Sequence, residues 1–318
     1  MFIFRLSKKF KIIFIACFLN LGGIYAQCCS TGSPAGASIY IGLLNTKTIR
    51  FITFYRNSYS DTYYNGSTKN TDYALLKNST FNYTGFTFGY GISKRITAEY
   101  EMGYFISKVQ RYDMQPEYIL KGYGFSNGAF VIKYGAYVKP AKNIELTIGA
   151  GMKFPLAFEP QYQDGVLLPR DIQPSTGAFG ATSQLFFSKG FPSITLRIFS
   201  LNKYDMNGAN NDDYHYGNLI MNSLFISKRI AANLYGIIQF RSENRKPDKE
   251  NEEIKENTGN EVIFVSPQLN YSFLAIWHIC VLTDLPMYKN YTGKQLTPKY
   301  SFAVSLTRDF NTCKEIKE

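Results

Sequence analysis

Apolar and polar residues alternate along most of the chain. In IELTIGAGMKF (residues 144–154), one set of alternate positions includes Ile144, Ile148 and Phe154, and the intervening set contains Glu145 and Lys153. Successive side chains of a β-strand point to opposite faces, so a period of two gives a strand one apolar and one polar face. A helix cannot present this pattern as two coherent faces. The alternation therefore predicts an all-β chain.

About twelve segments carry this pattern. Aromatic residues make up 16% of the sequence, with 25 Tyr and 26 Phe, and such side chains favour strands. The predicted strands are residues 48–58, 80–91, 97–110, 127–138, 144–155, 176–187, 193–203, 217–227, 233–242, 261–272, 278–287 and 299–310.

The joins between these segments alternate in length. Short joins begin at residues 93, 139, 188, 227 and 273, and long polar joins begin at residues 61, 114, 158, 205, 243 and 288. Outer-membrane barrels have short periplasmic turns and long extracellular loops. We therefore predict a closed antiparallel transmembrane β-barrel of about 12 strands, with both chain ends on the short-turn side.

A soluble β-sandwich or a secreted barrel is the alternative architecture. In such a fold the apolar face is the interior, so Ile144, Leu146 and Val304 would be buried and Glu145 and Ser305 exposed. A membrane barrel predicts the opposite arrangement, because its apolar face meets lipid.

The pentapeptide ISKRI occurs at residues 92–96 and again at residues 226–230. Each copy falls between two predicted strands, so both are expected to be periplasmic hairpin turns. Their Lys and Arg side chains would then lie near anionic lipid head groups, where cations are favoured.

The first 26 residues are predicted to be a signal peptide. A basic start with Arg5 and Lys8 precedes an apolar stretch that ends at Ala26. A lipoprotein acylated on Cys28 is the alternative. After residue 26 no apolar run approaches the roughly 18 residues that a membrane helix needs. The expected layout is a periplasmic or lumenal segment 27–47, a barrel 48–310 and a periplasmic tail 311–318.

Charge narrows the candidate functions. The net charge is +11, but the basic residues are scattered and form no nucleic-acid module. Several charged or polar side chains fall on the predicted lumen face, where they could set the selectivity of a pore or neutralise one another as ion pairs. The candidate lumen-lining residues are Glu99, Glu101, Lys133, Glu145, Lys153, Gln184, Arg197 and Asp284.

Four cysteines follow the predicted signal peptide. Cys28, Cys29, Cys280 and Cys313 would be exported into an oxidising compartment, where disulfides form. Three pairings are possible and the sequence does not choose among them. A metal site involving His278 is the alternative, although vicinal cysteines rarely both reach one zinc ion. No cofactor is expected.

Catalysis has one candidate residue. His215 lies near a predicted extracellular rim with Asn218 close in sequence, as a lipid hydrolase of the outer membrane would require. No matching serine strand stands out. We therefore expect the protein not to be an enzyme.

Three segments together resemble a known family. They are CCSTGSP (residues 28–34), DIQPSTGAF (residues 171–179) and LPMYKNYTGKQLTPKY (residues 285–300). The chain resembles Bacteroidetes outer-membrane β-barrels similar to those of the phenol-degradation MetA type, which are transporter-like. It departs from barrels that stop at an aromatic residue, because Cys313 follows Phe310. The resemblance implies transport of a small hydrophobic or aromatic molecule. It places the segments Asp171–Pro174 and Gln295–Pro298 at the extracellular rim.

These observations converge on a functional expectation. The protein is expected to be a channel or transporter in the outer membrane of a diderm bacterium, passing a small solute by passive diffusion. Its partners would be outer-membrane lipid, the solute and the barrel-assembly machinery. The alternatives are a structural or binding barrel with a blocked lumen, an accessory barrel that uses the Cys28-Cys29 segment in the periplasm, and a lipid hydrolase.

Overall fold

A computed structural model of the protein describes residues 42–71, 75–274 and 276–311. Three short 3-10 helices occur at Pro140–Lys142, Arg170–Ile172 and Pro192–Ile194. Within the described residues, no helix is long and apolar enough to cross a membrane. The strands are β1 (Thr48–Gly66), β2 (Thr68–Asn70), β3 (Leu76–Ser93), β4 (Ile96–Tyr112), β5 (Tyr118–Phe125), β6 (Asn127–Lys139), β7 (Ile144–Pro155), β8 (Tyr162–Gln163), β9 (Val166–Leu167), β10 (Gly180–Phe191), β11 (Leu196–Asn207), β12 (Tyr214–His215), β13 (Leu219–Ala231), β14 (Leu234–Arg245), β15 (Lys249–Glu250), β16 (Glu253–Ile254), β17 (Asn260–Phe273) and β18 (Trp277–Asn311).

Eleven of these elements form a closed antiparallel barrel in the described part of the chain. Each pairs with its neighbour in the order β1, β3, β4, β6, β7, β10, β11, β13, β14, β17, β18, and β18 pairs back with β1. The ring is sealed where Thr48 pairs with Asn311. Strands β2 and β5 lie outside the ring and pair with β1 and β4. Closure leaves the ring of eleven described elements without an open edge.

The last element crosses the barrel wall twice. Residues 277–291 of β18 pair with β17, and residues 291–311 pair with β1. The backbone N–H of Asp309 donates to the carbonyl of Ile276 (3.3 Å), so the two halves run back alongside each other. Gly293, at φ +71°, supplies the turn between them. The eleven elements thus make twelve crossings, in agreement with the predicted count.

The two faces of the strands have opposite polarity. Thr147 is 2% exposed, whereas its neighbour Ile148 is 48% exposed on the outer surface. The last crossing repeats this contrast, since Ser305 is buried and Phe302 is exposed. Polar residues face the enclosed space and apolar residues face outward, which is the arrangement of a barrel surrounded by lipid. The predicted fold, a closed antiparallel transmembrane β-barrel, is confirmed, and the sandwich alternative is wrong.

The barrel has a short-turn end and a long-loop end. The short-turn end carries the joins 94–95, 140–143, 192–195, 232–233 and 274–276, and both described chain ends lie there. The first ISKRI copy is a turn, as predicted. The second copy was assigned wrongly, because β13 continues to Ala231 and the turn follows it. The motif pairs with β14, with one irregularity between Arg229 and Ala231. The chain is therefore extended through the motif.

The predicted long loops contain ordered strand. The join 114–126 includes β5, and the join 288–298 is a tight turn inside β18. The charged segment 243–260, a long polar join in the sequence, forms β15 and β16, which pair with each other, and β15 also pairs with β12 of the preceding loop. Its Asp248 is 1% exposed and accepts hydrogen bonds from the Tyr214 hydroxyl (2.6 Å) and the Gly217 N–H (2.8 Å). A buried, fully used carboxylate explains why this charged segment is ordered.

Candidate functional site: the lumen

A buried carboxylate in the lumen is shared by two arginines. Asp284 is almost fully buried and lies 3.3 Å from Arg56 and 3.1 Å from Arg241. Arg241 contacts it through two nitrogens, and the hydroxyls of Ser266 and Ser301 donate to the same carboxylate. A buried carboxylate of this kind stays ionised only because its partners repay the desolvation cost. The predicted lumen residue Asp284 therefore organises a charge network.

A second carboxylate nearer the long-loop end is shared by two lysines. Asp205 lies 3.2 Å from the ammonium of Lys153 and 3.7 Å from that of Lys203. It also accepts the hydroxyl of Thr182 at 2.6 Å. Lys153 was on the predicted lumen face, whereas Lys203 and Asp205 were missed. Lys203 and Asp205 are two residues apart on β11, so they lie on the same face of the strand. The alternation could therefore have revealed them.

Ion pairs at the short-turn end are balanced one to one. Glu99 and Lys133 pair at 2.6 Å, and Arg50 and Asp309 pair at 2.6 Å. Glu99 and Lys133 are both predicted lumen residues, and Lys133 is 3% exposed. Positive and negative side chains at this end of the lumen neutralise each other in local ion pairs, as the second interpretation of the lumen charges expects.

The chain just before β1 lies inside the short-turn end. Glu145 accepts the backbone N–H of Leu43 (2.8 Å), and the Thr97 hydroxyl accepts that of Leu44 (3.0 Å). Leu44 is 3% exposed. Glu145, another predicted lumen residue, therefore binds the protein's own backbone. The described residues 42–44 of the segment 27–47 are lumenal at this point.

The remaining lumen candidates have different surroundings. Arg197 donates to Ser188 (2.8 Å) and lies over the ring of Phe199 at 5.0 Å. Gln184 lies against the bare backbone of Gly149, where a Cβ atom would meet it at 2.7 Å. Glu101 is half-buried on β4. Their role in selectivity stays a prediction.

The lumen also contains apolar clusters that the sequence reading missed. One cluster packs five inward residues of β10, β11, β13 and β14, and its phenylalanines Phe199 and Phe225 stack at 4.6 Å. A second packs Phe54, Tyr83 and Phe105. Phe186 lies between the polar inward residues of β10, so the alternation could have revealed it. The interior is thus part polar and part aromatic.

A long loop closes over the lumen at the long-loop end. Residues 156–179, the lumenal loop, join β7 to β10. Its Gln161 accepts the N–H of Tyr123 (3.1 Å) and its Gln163 accepts that of Lys121 (2.9 Å), both on the outer edge of β5. These side-chain amides substitute for a neighbouring strand, because β7 ends at Pro155, short of β5.

Gln173 fastens the same loop from within. Its amide accepts the N–H of Gln161 (2.8 Å) and donates to the carbonyls of Gln161 (3.1 Å) and Leu168 (2.9 Å). The Lys108 ammonium donates to the Gln173 carbonyl at 2.8 Å. The segment Asp171–Pro174, expected at the extracellular rim, therefore lies inside the mouth. Burial raises the pKa of Asp171 on this loop, which the charges of Lys108 and Arg245 partly oppose.

The second segment expected at the rim is also tied to the protein. Gln295 is buried and donates to the carbonyls of Gly259 (3.0 Å) and Thr292 (2.7 Å). Pro298 lies at a bulge in the pairing with β1. Gln295 thus anchors a turn, and no ligand role follows from its contacts.

Of the predicted disulfide and metal candidates, Cys280 and His278 lie within the described residues. Cys280 is buried and forms no disulfide with another described residue; Cys28, Cys29 and Cys313 lie outside the described residues. The disulfides stay a prediction. His278 Nδ1 lies 2.8 Å from the Ser272 hydroxyl at the short-turn end. Among the residues that the structure covers, no cluster of potential ligands could hold a metal.

The catalytic candidate has structural contacts instead. His215 belongs to the small loop sheet, where it pairs with Lys249. The side chain of Asn218 accepts the Asn207 N–H (3.0 Å) and donates to the Tyr204 hydroxyl (3.2 Å). Asn218 therefore holds the loop to β11 rather than orienting a histidine.

Comparisons with known proteins agree with this geometry. No protein-family model and no curated protein matches the chain. Among solved structures, the chain is similar to the COG4313 outer membrane channel from Pseudomonas putida F1, with a TM-score of 0.69, 11% identity, and coverage of 85% of this chain and 98% of the other. The β domain of the Bordetella autotransporter BrkA is more distant, with a TM-score of 0.49, 11% identity and coverage of 83% and 100%. At such identity the likeness shows the fold, that of outer-membrane β-barrels. The MetA-type resemblance stays a prediction.

Proposed function

We propose that this protein is an outer-membrane channel that passes a small hydrophobic or aromatic solute by passive diffusion through the lumen. The single observation that carries the proposal is the composition of the lumen, which contains both buried ion pairs and aromatic clusters. Lipid-facing apolar side chains and a polar interior are the features of barrels that hold a route across the membrane.

The mixed lining favours solutes that combine an apolar body with a polar group. The rings of Phe54, Tyr83 and Phe105 pack together on the same inner surface as Arg56. Twelve crossings enclose more space than the packed eight-stranded case and far less than a sixteen-stranded porin. A narrow passage of this kind selects by size as well as by polarity.

A barrel with a blocked lumen is the second candidate, and a specific observation favours it. Residues 42–44 occupy the short-turn end, and the lumenal loop covers the long-loop end. If both segments stay in place, the lumen would be blocked. The protein would then bind a ligand or have a structural role without conducting solutes. We favour the channel, because a solved structure with the same fold over 85% of this chain is an outer membrane channel.

We also propose where the channel lies and how it is inserted. The protein would lie in the outer membrane of a diderm bacterium after signal-peptide cleavage, inserted by the barrel-assembly machinery and surrounded by outer-membrane lipid. It would not act as an enzyme.

Proteoliposome swelling tests the proposed function. Folded protein, identified by its heat-dependent shift on a gel, would be reconstituted into liposomes and challenged with isosmotic small solutes. We expect swelling above that of protein-free liposomes for small solutes that cross lipid slowly, such as phenylalanine and arabinose, and none for a trisaccharide. No swelling with any solute, from protein that is folded, would support the blocked barrel.

A further inference from the structure

A cavity lies between the lumenal loop and the strands that surround it. Residues 173–176 of the loop cover it, and its sides include β3, β4, β7, β11 and β14. A neighbouring opening shares Arg170 and residues 173–176 with the cavity and is bordered by residues 157–160 and 210–212. The cavity is therefore reached from the long-loop end.

One wall of the cavity holds a cation against two aromatic rings. The Lys108 ammonium lies 4.5 Å from the ring centroid of Phe105 and 5.0 Å from that of Phe81. Lys108 is 5% exposed and donates to the Gln173 carbonyl. A cation in such surroundings is removed from bulk water, so it attracts an anion more strongly than a surface lysine does.

The opposite wall is also basic. Lys153 and Lys203 share the carboxylate of Asp205. Arg245 pairs with Asp248 at 2.9 Å and lies over the ring of Tyr216 at 5.6 Å. The side chains that line the cavity include four cations, from Lys108, Lys153, Arg170 and Arg245, and one carboxylate, from Asp205. Arg170 also pairs with Asp212, outside the lining, at 2.8 Å. The lining itself therefore presents more cations than carboxylates, which favours a ligand of negative charge.

We propose that this cavity binds a small organic anion with an aromatic body, of the benzoate class. The ring would pack on Phe81 and Phe105, and the carboxylate would face Lys108. The two parts of the lining require both features, because rings alone would accept any apolar solute and cations alone any anion. The inference rests on the proposed channel function, since it names the class of solute that the channel takes up.

Direct binding tests the site without reference to conduction. Isothermal titration of the folded full-length protein in detergent would use benzoate, benzyl alcohol, benzylammonium and acetate as probes. We expect benzoate to bind at least tenfold more tightly than each of the other three. Equal binding of benzoate and benzyl alcohol would show that the cations contribute nothing, and equal binding of benzoate and acetate would do the same for the rings. Either result, or no binding of benzoate, overturns the proposal.

A matched pair of variants locates the site. Lys108→Gln removes the cation between the rings, and we expect benzoate to bind at least tenfold more weakly. The control is Lys121→Gln, because Lys121 pairs with Val109, the residue after Lys108, yet is exposed. We expect the control to change binding less than twofold. Equal effects of the two variants would overturn the assignment. Should Lys108→Gln fail to fold, the preference of the wild-type protein among the four probes still decides.

Conductance measured on the same preparations separates this inference from the proposed function. Benzoate binding without conductance would retain the site and reject the channel. Conductance without benzoate binding would retain the channel and reject the site.

Discussion

The two ends of the lumen are closed in different ways. At the short-turn end, ion pairs are matched one to one and two hydrogen bonds hold residues 42–44 inside the wall. At the long-loop end, a loop of 24 residues, 156–179, folds into the mouth over a cavity rich in cations. The short-turn end has paired charges and contains a short stretch of chain. The long-loop end has a cavity lined mainly by cations and contains a loop that is fastened by Gln173.

The difference indicates where selectivity resides. Glu99 with Lys133 and Arg50 with Asp309 cancel each other locally, so they stabilise the wall without favouring either sign of solute. Near the other end, Asp205 serves two lysines, so the lysines of this cluster outnumber the carboxylate that they share. A solute would therefore be discriminated by charge mainly at the long-loop end.

The largest expected effect concerns the charge network between the two ends. Asp284→Ala removes the carboxylate that Arg56 and Arg241 share, so Arg56 stays buried without it, while Arg241 keeps its pair with Glu243 at 2.8 Å. Breaking a buried pair costs about 3–5 kcal/mol, because a charge is left without compensation. The free energy of unfolding, from guanidinium titration in lipid vesicles, should fall by that amount.

Asp309→Ala is the control for this experiment. Its pair with Arg50 is partly exposed, at 26% and 13% of the side chains. We expect a loss of about 1 kcal/mol, as for pairs that water can reach. A comparable loss in the two variants would show that the Asp284 network has no special weight.

The next effect tests how the lumenal loop is held. Gln173→Ala removes one acceptor and two donor contacts inside the loop. Buried groups left without partners cost about 1–3 kcal/mol, so hydrogen exchange at the Gln161 amide should accelerate by tenfold or more. Gln163→Ala, which affects only the outer edge of β5, should change that amide little. Unaltered exchange in Gln173→Ala would mean that packing alone holds the loop.

A smaller effect tests the segment at the short-turn end. Glu145→Ala removes the acceptor of the Leu43 N–H, while the Leu44 N–H keeps Thr97. We expect exchange at Leu43 to accelerate about tenfold, which corresponds to the roughly 1.4 kcal/mol of one charge-assisted hydrogen bond. Exchange at Leu44 should change less. Equal acceleration at both amides would show that the segment leaves the wall as one unit.

The smallest effect is a pH dependence confined to the lumenal loop. Burial raises the pKa of Asp171, so the native protein binds that proton more tightly than the unfolded chain does. Stability from this group is therefore present below about pH 4 and is lost as pH rises through the raised pKa. Asp171→Asn should remove this loss, and the difference in unfolding midpoint between the two proteins should grow with pH. A difference that does not change with pH would contradict the assignment.

Sequence periodicity located the barrel but not the contents of its mouth. Alternation reports which face of a strand meets lipid, and this local property placed β6 and β7 closely. The lumenal loop is held by contacts such as Gln173 with Gln161 and with Lys108, which have no periodic signal. Such contacts become visible only when distant segments are brought together.

Lys108 shows why even an inward residue can escape a period-two reading. Counting in twos from Glu99 along β4 would place Lys108 on the lipid face. The pairing of β4 shifts between Phe105 and Lys108, which is a bulge. One extra residue moves every later side chain to the opposite face. Lys108 and Gln110 are therefore buried on the inside, where the proposed ligand site lies.

Single-channel conductance in planar bilayers tests the central claim most directly, namely that solutes pass through the lumen and under its loop. Because Gly180 pairs with Lys153, a short Gly-Ser linker in place of residues 157–178 can still join β7 to β10. The account predicts discrete conductance steps for the wild-type protein and larger steps for the linker variant. A flat trace from both proteins, with both folded, would contradict it.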